Sequence, residues 1–257
     1  MSARAKSQRR MSEVHILRTL ATARRVLQQL GHDRRSLAML LVVPIVLLIL
    51  LKYVYSDDPF LFDRLGPQLL GLFPFIVMFL ITSITMVRER TSGTLERLLT
   101  TPLQRAELVF GYGLAFGLAA LIQACVTAAI TLGPLGLNVH HAAVIGLFAI
   151  FDALLGTGLG LLMSAFATTE FQAVQFMPAV VLPQLLLCGL LNPRSNMATV
   201  LHWLSDVLPL SYATDGITKA SQAATLPGSV YWDGLVLLGC LIAAIALAAG
   251  TLRRRTA

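Results

Sequence analysis

The sequence predicts an all-α polytopic membrane protein: six transmembrane helices, an N-terminal amphipathic helix at the membrane interface and an outer re-entrant helical hairpin. Three observations carry this prediction. Of 257 residues, 56% are hydrophobic and only 13% charged, against about a quarter charged in a soluble domain. The apolar residues gather into runs long enough to cross a hydrocarbon core about 30 Å thick. The basic residues cluster in the short segments that flank these runs, as membrane topology requires.

The runs fall at 37–55, 67–87, 106–132, 142–166, 172–192 and 232–252. Six crossings put both ends of the chain on one side. Residues 1–36 form a basic segment, 37–252 the membrane domain and 253–257 a tail. Orientation follows from the excess of Lys and Arg on the cytoplasmic side. Arg4, Lys6, Arg9, Arg10, Arg18, Arg24, Arg25, Arg34 and Arg35 precede the first run, Arg88, Arg90, Arg97 and Arg105 follow the second, and Arg253, Arg254 and Arg255 end the chain, 16 of 20 basic residues. The first outer loop instead holds Asp57, Asp58 and Asp63 against Arg64. Both termini are therefore expected in the cytoplasm, with the amino terminus retained, because no small-residue cleavage site follows the first run. The net charge of +7 is explained by this topology, so no nucleic-acid partner is expected.

Before the first span, Ile16, Leu20, Ala23, Leu27 and Leu30 recur at helical spacing, with Arg18, Arg25 and Gln29 on the opposite face. Such a helix would lie among the headgroups of membrane lipids and turn at Gly31 into the first span. Residues 190–231 are too polar to cross; Ala198 to Leu208, closed by Pro209, reads as short helices at the outer face, partly dipping into the membrane beside other helices.

The chemistry that the chain lacks narrows its function. Lys6, Lys52 and Lys219 have no phosphate-binding loop around them. Ser164 has no nucleophile elbow, and no zinc-protease motif occurs. Cys125, Cys188 and Cys240 fall singly in three apolar segments, without metal or disulfide spacing. The adjacent His140 and His141 have no further ligands nearby in sequence. No catalytic residue, metal or cofactor is expected in this chain.

Between the second and third spans lies a segment dense in opposite charges, from Arg88 to Leu103. Thr94 can cap a short helix there, and Pro102 stops it before the third span, giving a rigid elbow. Its pattern of Arg88, Glu89, Gly93, Thr94, Glu96, Leu98, Leu99, Thr101 and Pro102 resembles the loop of type-2 ATP-binding-cassette export permeases. A second resemblance lies in Leu187 to Asn192 followed by Leu204 to Gly216, similar to that family's outer re-entrant hairpin with its Leu-Pro-Leu-x-Tyr pattern. One position departs: Tyr112 stands where many family members carry Lys after a glycine. The resemblance implies that 88–105, with Arg90 and Leu95 included, is a coupling elbow seated in a separate cytoplasmic nucleotide-binding ATPase subunit, which binds ATP and Mg. It further implies pairing with a second permease copy or a paralogue in a bacterial inner membrane, and export of an amphiphilic molecule, drug-like or lipid-linked.

Within the spans, Phe75, Phe79, Thr82 and Met86 share one helical side, and Gln172, Gln175 and Phe176 stand near the start of the fifth; together they offer a greasy, weakly polar substrate path or ordinary packing. Asp152 is an acid deep inside a span, either a functional carboxylate on that path or a hydrogen-bonding group that holds helices together. An ion- or proton-coupled transporter using Asp152, and a non-transporting assembly subunit, are the two competing functions. Gly113-x-x-x-Gly117 and Gly156-x-x-x-Gly160 predict close helix approach.

Overall fold

The computed structural model describes residues 3–93 and 105–254, and the side chains of 15–93, 107–108 and 110–251. Every regular element among them is helical. Helix α1 spans Ala3–His32, α2 Arg34–Val54, α3 Pro59–Thr91, α4 Arg105–Leu132, α5 Ala142–Ser164 and α6 Glu170–Leu187. A 3-10 turn at Arg194–Asn196 leads to α7 at Thr199–Val207, α8 at Pro209–Gln222 and α9 at Ser229–Arg254. Six are long and apolar enough to cross a membrane: α2, α3, α4, α5, α6 and α9.

Several boundaries differ from the sequence expectation, among them the end of the fifth span, at Leu187 rather than 192. The chain does not turn at Gly31; α1 continues to His32 and breaks at Asp33. The Asp33 carboxylate accepts the Arg35 and Ser36 N–H groups at 3.1 and 3.3 Å and caps α2. The second span begins at Pro59 rather than at 67, because Asp58 accepts the Leu61 N–H and Pro59 occupies the first helical position. Pro67 and Pro74 then lie inside a 33-residue helix. A proline in a buried membrane helix is tolerated where neighbouring helices satisfy the freed backbone groups.

Helix α3 is the centre of the bundle: 72% of its apolar window is buried inside the chain, against 17% for α2 and α6. It meets α5 where glycines remove side chains. A Cβ at Gly156 would lie 2.3 Å from the Phe75 carbonyl oxygen, and one at Gly160 would lie 2.6 Å from that of Phe79. Of the two predicted glycine pairs, this one makes a tight crossing. Gly113 has no neighbour within 4 Å, and Gly117 meets only the Leu154 side chain. At Gly111, a Cβ would strike Thr22 at 2.7 Å, so that glycine seats α1 on α4.

Of the amphipathic stripe read on α1, Ala23 and Leu30 are buried, whereas Ile16 and Leu20 are exposed. Arg25, assigned to the polar face by periodicity, points inward to Tyr112. A periodic stripe reports one apolar face, but α1 has two neighbours to satisfy, and its inward face includes charged groups.

At the opposite end, Gly189 adopts φ +96° and turns the chain out of α6. Short helices α7 and α8 follow, α7 within the 198–208 segment read as helical. Arg194 gathers them: Nε donates to Ser205 Oγ at 2.6 Å, Nη1 to Asp215 Oδ2 at 2.6 Å and Nη2 to Asp206. Lys219 of α8 pairs with Asp233 of α9 at 2.6 Å.

Candidate functional site

The arginine-rich end of the bundle carries a collar of ion pairs around the last turns of α3. Glu89 is buried, at 8% exposure. The Tyr112 hydroxyl of α4 donates to its Oε2 at 2.9 Å, and Arg25 of α1 donates to Tyr112 at 2.5 Å while standing 3.5 Å from the carboxylate. A buried carboxylate is stable only with such donors. Glu89 thus faces into the bundle, with α1 and α4 converging on it.

Its neighbours reach other helices. Arg88 grips Glu170 at the start of α6 through two parallel bonds, Nε to Oε1 at 3.0 Å and Nη2 to Oε2 at 2.9 Å, and stands 3.9 Å from Asp33. The fork geometry matches guanidinium to carboxylate and fixes orientation. Arg90 donates to the carbonyls of Ser164, at 2.8 Å, and Ala167, covering the end of α5, where a cation is favoured by the helix dipole. Glu107 in the first turn of α4 is buried and pairs with His15, with Arg18 3.9 Å away. The last turns of α3 therefore touch α1, α4, α5 and α6.

Asp33 sits beside this collar. The Ser36 hydroxyl and N–H, donating to it, hold its carboxyl below the usual aspartate value of 3.8, against the smaller opposing effect of burial.

Gly93 closes α3 with φ +71°. The rest of the predicted elbow, Thr94, Leu95, Glu96, Leu98, Leu99, Thr101 and Pro102, lies outside the described residues. Phe75, Phe79, Thr82 and Met86 are buried within the single chain, and Thr82 Oγ1 has no hydrogen-bond partner. Phe75 and Phe79 belong to the core around α5; Met86 packs with Val26 and Tyr112. Gln172 is used locally: its Oε1 accepts the Thr168 N–H at 2.8 Å while its own N–H meets the Thr169 cap. Gln175 is exposed and Phe176 half-buried. Asp152 lies in the same α3–α5 crossing, buried against Gly71 and Ile217, one turn before the Gly156 that meets Phe75.

Sequence reasoning missed Arg25, Glu107, Tyr112, Glu170 and Arg194 as site residues. One signal was available: Glu107 and Glu170 are acids in the first turn of a span, a place where an unpaired charge is costly.

The profile of the ABC-2 type transporter family matches residues 18–221, which includes the collar, α3 and the hairpin. The chain belongs to this family. An ABC-2 permease is a membrane-spanning protein of ATP-binding-cassette transport systems, and six crossing helices agree with that. The chain is 30% identical over 192 residues to the probable multidrug ABC transporter permease YbhR of Escherichia coli K12, covering 74% of this chain and 51% of the relative. It is 31% identical over 169 residues to the linearmycin resistance permease protein LnrN of Bacillus subtilis, covering 65% and 43%. The likeness to ABC transporter G family member 20 of Dictyostelium discoideum is 30% over 154 residues, covering 59% and 21%. The matches thus span about half the length of these relatives, or less.

Proposed function

We propose that this chain is the permease subunit of an ATP-driven exporter that carries an amphiphilic molecule, drug-like or lipid-linked, out of the cytoplasm or the inner leaflet of a bacterial inner membrane. In this reading both termini are cytoplasmic. A separate ATPase subunit, holding ATP and Mg, receives the elbow from Arg88 to Pro102. The observation that carries the reading is the collar, in which the helix leading into the elbow is clamped to four others. A push on the elbow would turn α3 as a lever, and Arg88 would draw α6 with it through Glu170. Glu89, facing inward, would transmit that motion, while Glu96 and Leu99 offer contacts to the ATPase. The names of the bacterial relatives, multidrug permeases and an antibiotic-resistance permease, support an amphiphilic substrate.

Pairing with a second permease copy is supported by α6. Its outward face carries Phe171, Val174, Leu182 and Leu186 together with the exposed Gln175. An amide facing hydrocarbon is unfavourable, and a facing helix would give it partners. In that dimer the path runs beside Gln175 and Phe176; Phe75, Phe79, Thr82 and Met86 join it when the α3–α5 contact loosens.

The test is co-purification. Membranes solubilised in mild detergent are passed over tagged wild type and over a Glu96→Arg, Leu99→Asp variant, and bound ATPase activity is measured. The exporter reading expects ATPase activity on wild type and its loss from the variant at unchanged permease yield. Absence of ATPase activity from both would overturn it.

A further inference from the structure

At the hairpin end, a cavity of about 870 Å³ lies between the first turns of α3, the α4–α5 loop, the turn after α6 and α8. Polar and charged residues line it, Asp63, Arg64, Gln68, Thr214, Asp215 and Lys219 among them. Two wall residues lead inward. Gln68 Nε2 donates to Thr218 Oγ1 at 2.7 Å, while its Oε1 is buried without a partner. One turn further along α3, the missing side chain of Gly71 leaves room for Asp152; a Cβ there would lie 3.1 Å from Asp152 Oδ2. Thr214 of α8 is tied to Gln68 through Thr218, whose hydroxyl donates to the Thr214 carbonyl at 2.7 Å, and Ile217 of the same helix reaches the same Gly71 position as Asp152. Asp152 therefore lies one side chain behind the cavity wall by two routes.

Asp152 is 1% exposed and forms no ion pair among the described residues, and its Oδ1 has no hydrogen-bond partner. The charged groups nearby are otherwise engaged. Asp215 is held by Arg194, and Lys219 by Asp233 of α9. Asp63 accepts the Asn138 N–H at 3.1 Å, and Arg64 is exposed. Beyond Gly113, α4 offers only the exposed thiol of Cys125, and α9 adds Cys240. Among the described residues no cation is placed to balance a carboxylate at 152, and an ionised acid without a counter-ion is strongly disfavoured in such an interior.

We propose that Asp152 is a proton-binding site served from this cavity, protonated while the wall formed by Gln68 and Thr214 is closed and ionised when the wall opens to water. The sign follows from linkage. If opening favours release of the proton, protonation favours the closed wall by the same factor. Higher pH on the hairpin side then shifts the chain toward the open form. The proposal rests on the single chain and is independent of the exporter reading.

Infrared difference spectroscopy of the full chain in lipid nanodiscs tests it. Wild type is expected to show a protonated-carboxyl C=O band that is missing from Asp152→Asn and shifts on transfer to deuterium oxide. If Asp152→Asn does not fold, carbon-13-labelled aspartate assigns the band instead. Plugging the cavity with a bulky maleimide at Gln222→Cys, against wild type treated alike, is expected to slow that exchange by about tenfold or more, as restricted opening does for other buried protons. The Gln68→Leu, Thr214→Val pair is expected to change the exchange rate as well. A band unaffected by Asp152→Asn and by the aspartate label, or an exchange rate indifferent to the plug, overturns the proposal.

Discussion

At the scale of single residues, the collar turns on Tyr112. Its hydroxyl accepts from Arg25 and donates to a carboxylate that is itself buried. Tyr112→Phe keeps the ring and removes one donor from Glu89, which is expected to cost about 1–3 kcal/mol. Thermal unfolding in detergent should show a lower midpoint for Tyr112→Phe and a partial recovery in Tyr112→Phe, Glu89→Gln, where the buried charge has gone as well. Asp33 gives a pH signature. Its carboxyl is held below the ordinary aspartate value, so its contribution is present above 3.8 and lost as pH falls through the lower folded value. The protection of the Arg35 and Ser36 amides, relative to their intrinsic exchange rates, should fall in acid for wild type and be low at every pH in Asp33→Ala, whose lost cap is worth about 1 kcal/mol. Of these residues, the sequence singled out Glu89 through its motif and Tyr112 as a departure from a pattern. That they meet Arg25 was hidden, because their separations from it of 64 and 87 residues are bridged only by helix packing.

At the scale of elements, the α3–α5 crossing is set by backbone approach rather than by side-chain chemistry. Gly156→Ala places a methyl group against the Phe75 carbonyl, and a backbone atom cannot step aside as a flexible side chain can. Overpacking of this kind costs about 1–3 kcal/mol, so size-exclusion profiles should broaden and the unfolding midpoint fall. Gly113→Ala, with nothing within 4 Å, should leave both unchanged. The contrast separates two motifs of identical spacing: a glycine pair states that close approach is permitted, and only the partner's position decides whether it happens. The hairpin offers a second prediction. Arg194 is the common donor for Ser205, Asp206 and Asp215, and burial raises the Asp215 carboxyl, opposed by the adjacent guanidinium. Arg194→Ala should release α7 from α8, read as new proteolytic cleavage between 190 and 209 with α9 intact.

At the scale of the whole molecule, the Arg88–Glu170 pair joins the central helix to the helix proposed to face a second copy. Both side chains are about half exposed, at 56% and 44%, so Arg88→Glu should change stability by only about 0–1 kcal/mol. Its effect on coupling is expected to be larger. In a complex reconstituted with its ATPase, Arg88→Glu and Glu170→Arg should each lower substrate-stimulated ATP hydrolysis, and the double exchange should restore much of it. Recovery in the double variant marks a pairwise link, since two unrelated losses would compound.

The sequence by itself determined that this chain lives in a membrane, how many times it can cross, and to which family its loop and hairpin motifs belong. These depend on composition, run length and short spacing, all local along the chain. It also placed the short helix within 198–208, because Pro209 and the change in polarity mark its bounds. The tertiary structure decided which charges are buried, which glycine pair makes a crossing, and that Asp152 is buried in that crossing, against Gly71 and Ile217. The physical reason is that a helix shows several faces, and periodicity distinguishes apolar from polar without naming the neighbour on each. Arg25 looked like a solvated residue by its period, and only the docking of α1 onto α4 turned it toward Tyr112 and Glu89.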